Sequence, residues 1–380
     1  MSGTDLYKDL SGRIEQNAHS DLKIRIEKPG ALGRMIESPC RGIAVGRNKH
    51  FKILQLSKLP TPSRKLVASL FVYHNGYSVN GYMKILAHSK KDWIPVVAML
   101  AHTGFVISMF LLFPHTPLWI MLILGFVYSV SISWNINGIA HNFIHNPYFK
   151  WKPANRFFSW LLSVTMGYSQ QFYHLIHLKH HQGNSDFPDG EGETVDPISI
   201  YKHGHDHEAE NVWSYVFLSY FRDDPKAIFR EVKKRNAFNA YWGVFEIASW
   251  VILVIIGFFL NWQFMLFYLP FYYLGHCLSY LNGYYRHFGG NPDEPMAWGV
   301  SSYDKIYNLI WFNNGYHAEH HYKPKVHWTK MHELHEQILE EQKKAGVRVI
   351  KPPHALGFLD PDLNKDKPKR TVASGEVSKA

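Results

Sequence analysis

The sequence predicts an all-α integral membrane protein in which two transmembrane helical hairpins carry a cytoplasmic helical cap. Three observations lead there. Four long apolar runs with almost no charge occur at roughly 94–114, 117–139, 242–260 and 263–285, each close to the twenty or so residues an apolar helix needs to cross a bilayer. They come in pairs, the first joined by "PHTP" (114–117) and the second by "NW" (261–262). Histidine is the third: nine of the chain's 24 imidazoles fall in three tight clusters beside the ends of these runs.

Links this short make each pair a hairpin, so residues 1–93, 140–241 and 286–380 must share one side of the membrane. Lys90, Lys91, Lys150, Lys152, Arg156, Lys179, Lys226, Arg230, Lys233, Lys234, Arg235 and Arg286 all belong to that side, and neither hairpin tip carries a Lys or Arg. The positive-inside rule makes that side cytoplasmic, as in a bacterial inner membrane or the endoplasmic reticulum. The net charge of +10 then reads as attraction to an anionic membrane surface, and no aromatic-basic motif speaks for nucleic acid. The polar start "MSGTDLYKDLSGRIEQ" shows no cleavable signal peptide. Cys40 and Cys277, the two cysteines, are far apart, which fits a reducing compartment and excludes a thiolate zinc site.

Between the hairpins, "FFSWLLSVTMGY" (157–168) and "VWSYVFLSYF" (212–221) are apolar but too short to cross, and read as interfacial or re-entrant helices. "TKMHELHEQILEEQKKAG" (329–346) reads as a soluble helix, and the tail from Lys351, rich in Pro, Lys and Asp, as flexible. The organisation is therefore a cytoplasmic N-terminal region (1–92), a membrane-embedded region (93–335) and a C-terminal helix end with its tail (336–380).

The clusters are "AHNFIHNP" with His141 and His145, "YHLIHLKHHQG" with His174, His177, His180 and His181, and "NNGYHAEHHYKP" with His317, His320 and His321. On a helix, residues four apart share a face about 40° wide, and the second and third clusters occupy arcs of about 120° and 100°. Each presents a one-sided set of nitrogen ligands, and the topology puts all three on one membrane face. Imidazole suits iron, zinc, copper and nickel alike. The number of ligands exceeds what one zinc needs, so two metal ions are the economical reading. H-E-x-x-H is absent, as is the Glu-x-x-His repeat of ferritin-like carboxylate sites, with Glu319 about 200° from His317 on the helix. A histidine-rich pair of irons open to dioxygen remains. His287, in "LNGYYRHFGG", returns to the same face after the fourth run and is a ninth candidate ligand, with Asn282 a weaker one. His203, His205 and His207 read as solvated surface, and His102 and His276 as neutral imidazoles bonded to neighbouring helices.

The order H-x3-H, H-x2-H-H, H-x2-H-H between two hairpins resembles the membrane fatty acid desaturase superfamily, which includes related hydroxylases, over residues 90–335. The resemblance implies iron ligation by His141, His145, His177, His180, His181, His317, His320 and His321, with His287 matching a further histidine common in the family. It also implies two Fe2+ ions, O2 as co-substrate, and double-bond introduction into the fatty acyl chain of a membrane lipid. No dinucleotide fingerprint is present, so electrons must come from an external donor: ferredoxin, rubredoxin or cytochrome b5. The three-residue spacing of the first box disfavours the acyl-CoA Δ9 subgroup, and His317 at the first position of the third box, where front-end desaturases usually carry Gln, departs from that group, as does the lack of the H-P-G-G motif of its fused cytochrome b5. A hydroxylase or ketolase acting on an alkane, sterol or carotenoid is the alternative on the same scaffold. A non-catalytic metal transporter or sensor is a third, disfavoured because transporter sites lie near the bilayer midplane.

Overall fold

A computed structural model of the chain describes residues 43–47, 50–54, 85–183, 194–205, 208–291 and 294–363. It divides into two units, residues 1–83 and 84–380. The described part of the first is a two-stranded antiparallel hairpin, β1 (Ile43–Arg47) and β2 (His50–Leu54), with Ile43 opposite Leu54 and Arg47 opposite His50. The rest of the first unit and the end of the tail lie outside the described residues.

The larger unit is helical. Ser89 and Asp92 form a capping box on the 3-10 turn Lys90–Asp92, which leads into α1 (Trp93–Leu112) and satisfies backbone donors that have no partner in that turn. Pro117 fixes the entry to α2 (Leu118–Trp134). The longest helix, α8 (Ala237–Tyr285), together with the stretches containing α1 and α2, makes three helices among the described residues that are long and apolar enough to cross a membrane. Asn261 interrupts α8 with an extended backbone (φ −157°, ψ 79°), and its Oδ1 accepts a hydrogen bond from the Phe264 amide, as an N-cap does. The chain folds back there: Trp250 stacks on Tyr272 with ring centroids 5.4 Å apart. In a straight helix those 22 residues would span about 33 Å. The "NW" link is thus a real turn between two antiparallel arms.

The second arm packs on α2 through small residues. A Cβ on Gly125 would lie 2.6 Å from the Phe271 ring, and one on Gly275 would lie 2.7 Å from Ile132. Such contacts let the backbones approach as they do in membrane bundles. Ser129 on α2 donates to the Phe271 carbonyl at 2.7 Å. His102 and His276 bond to neighbouring helices, with His102 Nδ1 2.9 Å from Ser131 Oγ and His276 Nε2 3.0 Å from the Met166 carbonyl.

The cap is built from shorter helices. α3 (His141–His145) continues α2 through a π-helical turn, Asn135–Ala140. α4 (Lys152–Met166) ends at Gly167, whose φ of 72° suits a residue without a side chain, and α5 (Gln170–Gly183) follows. Both dock on the first arm of α8 through Glu246, which is fully buried. Its carboxylate accepts from Ser159 Oγ (2.6 Å) and Ser169 Oγ (2.7 Å). α6 (Val212–Leu218) and α7 (Pro225–Arg235) cross the same region. α9 (Lys305–Ile310), α10 (His317–Tyr322) and α11 (Met331–Ala345) complete the cap, α11 stopping at Gly346 with φ 70°. As expected, none of the helices at 157–168 or 212–221 is of spanning length. The start of the tail does not trail: His354 is fully buried and bonds the Val300 carbonyl at 2.8 Å, so residues 351–363 pack against the cap.

Candidate metal centre

The three boxes occupy three helices of the cap. His141 and His145 span α3, held at the end of α2 by the π-helical turn, a bulge type that recurs at functional sites. His177, His180 and His181 lie on the last turns of α5, and His317, His320 and His321 fill α10. His287 follows the end of α8. The turn at Gly289 (φ 82°) comes two residues later.

All nine sequence-derived candidates converge, and they sort into two groups. Ligand atoms of His141, His145, His177, His181 and His320 lie within 4.8 Å of one another, as do those of His180, His287, His317 and His321. The sorting follows from helix geometry. Residues four apart share a face, so His141 with His145, His177 with His181, and His317 with His321 each serve one group. The residue three after the first histidine of the second and third boxes, His180 or His320, turns to the other group. Each H-H doublet therefore addresses both compartments, which stay close: the His181 and His321 rings are 4.4 Å apart.

The donor set fits metal ions. His145 Nε2 is 2.8 Å from His177 Nε2, His181 Nε2 is 3.0 Å from His177 Nε2 and 3.3 Å from His145 Nε2, and His320 Nε2 is 3.1 Å from His181 Nε2. Nitrogens at right angles around a first-row ion, about 2.1 Å from it, would be about 3.0 Å apart. In the second group His317 Nε2 and His287 Nε2 are 3.0 Å apart. Three mutually adjacent Nε2 atoms cannot all be satisfied by hydrogen bonds among themselves, because each ring offers that atom either a proton or a lone pair. Both ring nitrogens of His141 and of His321 are buried without any hydrogen-bond partner. Buried orphan nitrogens are costly, and a cation in each group would satisfy one nitrogen of each ring.

Burial also sets the protonation these ligands need. It drives His177, His287, His317, His320 and His321 well below the usual imidazole range, and His181 to about 2, with neighbouring imidazoles adding to the effect. Arg286, itself buried, reinforces this at His287, His317 and His320. Neutral imidazole is the form that binds metal.

Supporting residues were not visible in the sequence pattern. Asp196 Oδ2 lies 2.8 Å from His180 Nδ1, with both side chains almost wholly buried, an arrangement that fixes a ligand's tautomer and ring orientation. Glu319 does face away from the histidines of its own helix. Its carboxylate takes hydrogen bonds from Ser301 Oγ (2.8 Å), Tyr303 Oη (2.8 Å) and His335 Nδ1 (2.6 Å), clamping α10 to α11. His174 joins neither group and lines a separate cavity. His203 and His205 also stay out of both groups, whereas His207 lies outside the described residues. Asn282 remains inside α8, which runs on to Tyr285.

A cavity of about 370 Å³ reaches the centre. His141, His177, His180, His287 and His317 line it, together with Phe172, Ile228, Ile247 and Trp250. Its size lies within the range of small-molecule sites.

Fold and site together define a helical protein of membrane-crossing length with a two-compartment histidine centre at one end of its long helices. The sequence matches the fatty acid desaturase family over residues 117–353, more than half of the chain and all nine histidines, and the chain belongs to that family. Comparison with curated proteins gives no match.

Proposed function

We propose that this protein is an O2-dependent diiron oxidoreductase that introduces a double bond into the fatty acyl chain of a membrane lipid. The observation that carries this reading is the sorting of nine histidines, six of them buried, into groups of five and four, with five of the nine lining one largely apolar cavity. The five would hold one iron and the four the second. Two ferrous ions there would supply the reduction of dioxygen to an oxidant strong enough to take hydrogen from unactivated C–H bonds.

The chain's own residues do the rest. Neutral imidazoles bind without first releasing a proton, and Asp196 holds His180 with its Nε2 turned inward. Phe172, Ile176, Ile247 and Trp250 exclude water from the cavity, so a bound chain is held by shape with one C–H bond presented to the centre. In the proposed topology α1, α2 and the two arms of α8 make four crossings. The cap and both termini then lie on the cytoplasmic side. Electrons would enter there from ferredoxin, rubredoxin or cytochrome b5, and an acidic donor would suit the basic cap.

Expressing the chain with such a donor in a host of simple lipid composition, against a His141→Ala control, tests the reading. A new unsaturated fatty acid, two hydrogens lighter than its parent and with the double bond at one position, is the expected product. Unchanged acyl chains beside an alkane, sterol or carotenoid that has gained one oxygen would move the assignment to the hydroxylase branch of the same scaffold.

A further inference from the structure

Two cavities on the far side of α5 from the histidine cavity meet at the same pair of cations. One, of about 230 Å³, is lined by the polar Asn155, Ser159, Gln171 and His174 and by the apolar Phe143, Ile144 and Pro147. The other, of about 500 Å³, is walled by Phe157, Trp160, Trp242 and Phe245. Lys152 and Arg156 line both. None of the nine clustered histidines lines either cavity.

Arg156 is held in place by aromatic and amide contacts. Its guanidinium lies 5.1 Å from the Phe238 ring centroid and 5.8 Å from that of Trp242, and one of its N–H groups reaches Asn239 Oδ1 at 2.5 Å. Among the described residues, no acidic side chain lines either cavity. The nearest, Glu246, is fully buried with both oxygens engaged by Ser159 and Ser169. An arginine fork and a lysine without a carboxylate between them match a phosphate. The site also lies where the long apolar helix α8 begins, and Trp160 and Trp242 are the residue type that marks a membrane interface. A chamber with polar groups and an apolar groove joined at two cations have the shape and charge of one kind of molecule.

We propose that this is a binding site for an anionic phospholipid of the leaflet next to the histidine centre. Lys152 and Arg156 take the phosphate, the remaining head group occupies the chamber beside Asn155 and His174, and an acyl chain lies along Phe157, Trp160 and Phe245. The bound lipid is separate from the substrate in the histidine cavity and ties α4 to the first arm of α8.

The test titrates delipidated, detergent-solubilised full-length protein with phosphatidylglycerol, and in parallel with phosphatidylcholine and inorganic phosphate. Thermal unfolding and native mass spectrometry report binding, and neither depends on metal or turnover. Saturable stabilisation by phosphatidylglycerol, with one tightly bound lipid per chain, is expected. Lys152→Gln with Arg156→Gln should weaken it about 30-fold, from the usual contribution of two basic residues near an anionic lipid. Lys343→Gln with Lys344→Gln, the same charge change on α11, should leave it unaltered. Should the Arg156 variant fail to fold, Phe157→Ala with Lys152→Gln serves instead, because both residues are exposed. Equal binding of phosphatidylcholine, equal stabilisation by inorganic phosphate, or equal loss in the α11 variant would each overturn the proposal.

Discussion

Replacing Asp196 with Asn asks whether the two histidine groups act as two separate metal compartments. In the native chain Asp196 has two acceptor oxygens with two tasks: Oδ2 faces His180 Nδ1 at 2.8 Å and Oδ1 accepts from the Ile198 amide at 2.9 Å. Asparagine keeps the shape but has one acceptor, so it can hold the Ile198 turn or the His180 ring in the metal-binding tautomer, and not both. Losing such a partner usually lowers metal affinity 10- to 100-fold, about 1.4 to 2.7 kcal/mol. Only the group containing His180 should suffer. Anaerobic chelator titration of iron-loaded protein, read as iron per chain, is the assay. In Asp196→Asn, one iron should leave at a 10- to 100-fold lower chelator level and the other at the level seen in the unaltered protein. Unchanged release, or equal weakening of both irons, would refute the reasoning.

Further tests address the cap and the topology. The Glu319 carboxylate raises the pKa of His335 through their hydrogen bond, so this contact contributes stability that is fully present below the unfolded imidazole value and is lost as pH rises through the raised folded one. Unfolding temperatures of His335→Gln and the native chain should therefore differ most near about pH 6 and converge toward about pH 9; a gap that is the same at both would show that protonation plays no part. Asn261→Ala removes the cap on the Phe264 amide and should cost about 1 kcal/mol in an unfolding titration, so no loss would mean the turn does not depend on it. Single cysteines near Lys150, Lys233 and Lys325 should label from one side of the membrane and one at His115 from the other. Labelling of any of the first three from the second side would rule out four crossings.

Much of this architecture could be read from the residues because it rests on local signals. Apolar runs mark the long helices, "PHTP" and "NW" mark the turns between them, and helical spacing places His177 and His181 on one face. The division of each H-H doublet between two groups follows from that same periodicity, but it shows only when the three helices are placed around a common centre. Other features depend on distant partners. Asp196 is a lone Asp-Pro in a loop, and no periodic pattern links it to His180. Glu246 is a single charge in an apolar run, and its role comes from Ser159 on α4 and Ser169 in the link before α5. The π-helical turn at Asn135–Ala140 has no composition signal, although it aims the first box. The packed stretch around His354 was hidden in a segment whose Pro, Lys and Asp content resembles a free tail.

Metal content tests the central claim most directly. Protein expressed with ample iron, purified without air and analysed for metals per chain should carry two irons, and His180→Ala should lower both the iron content and the oxidation of the lipid substrate. A protein holding a single metal ion, or holding zinc alone with undiminished activity in the His180→Ala variant, would contradict the diiron account.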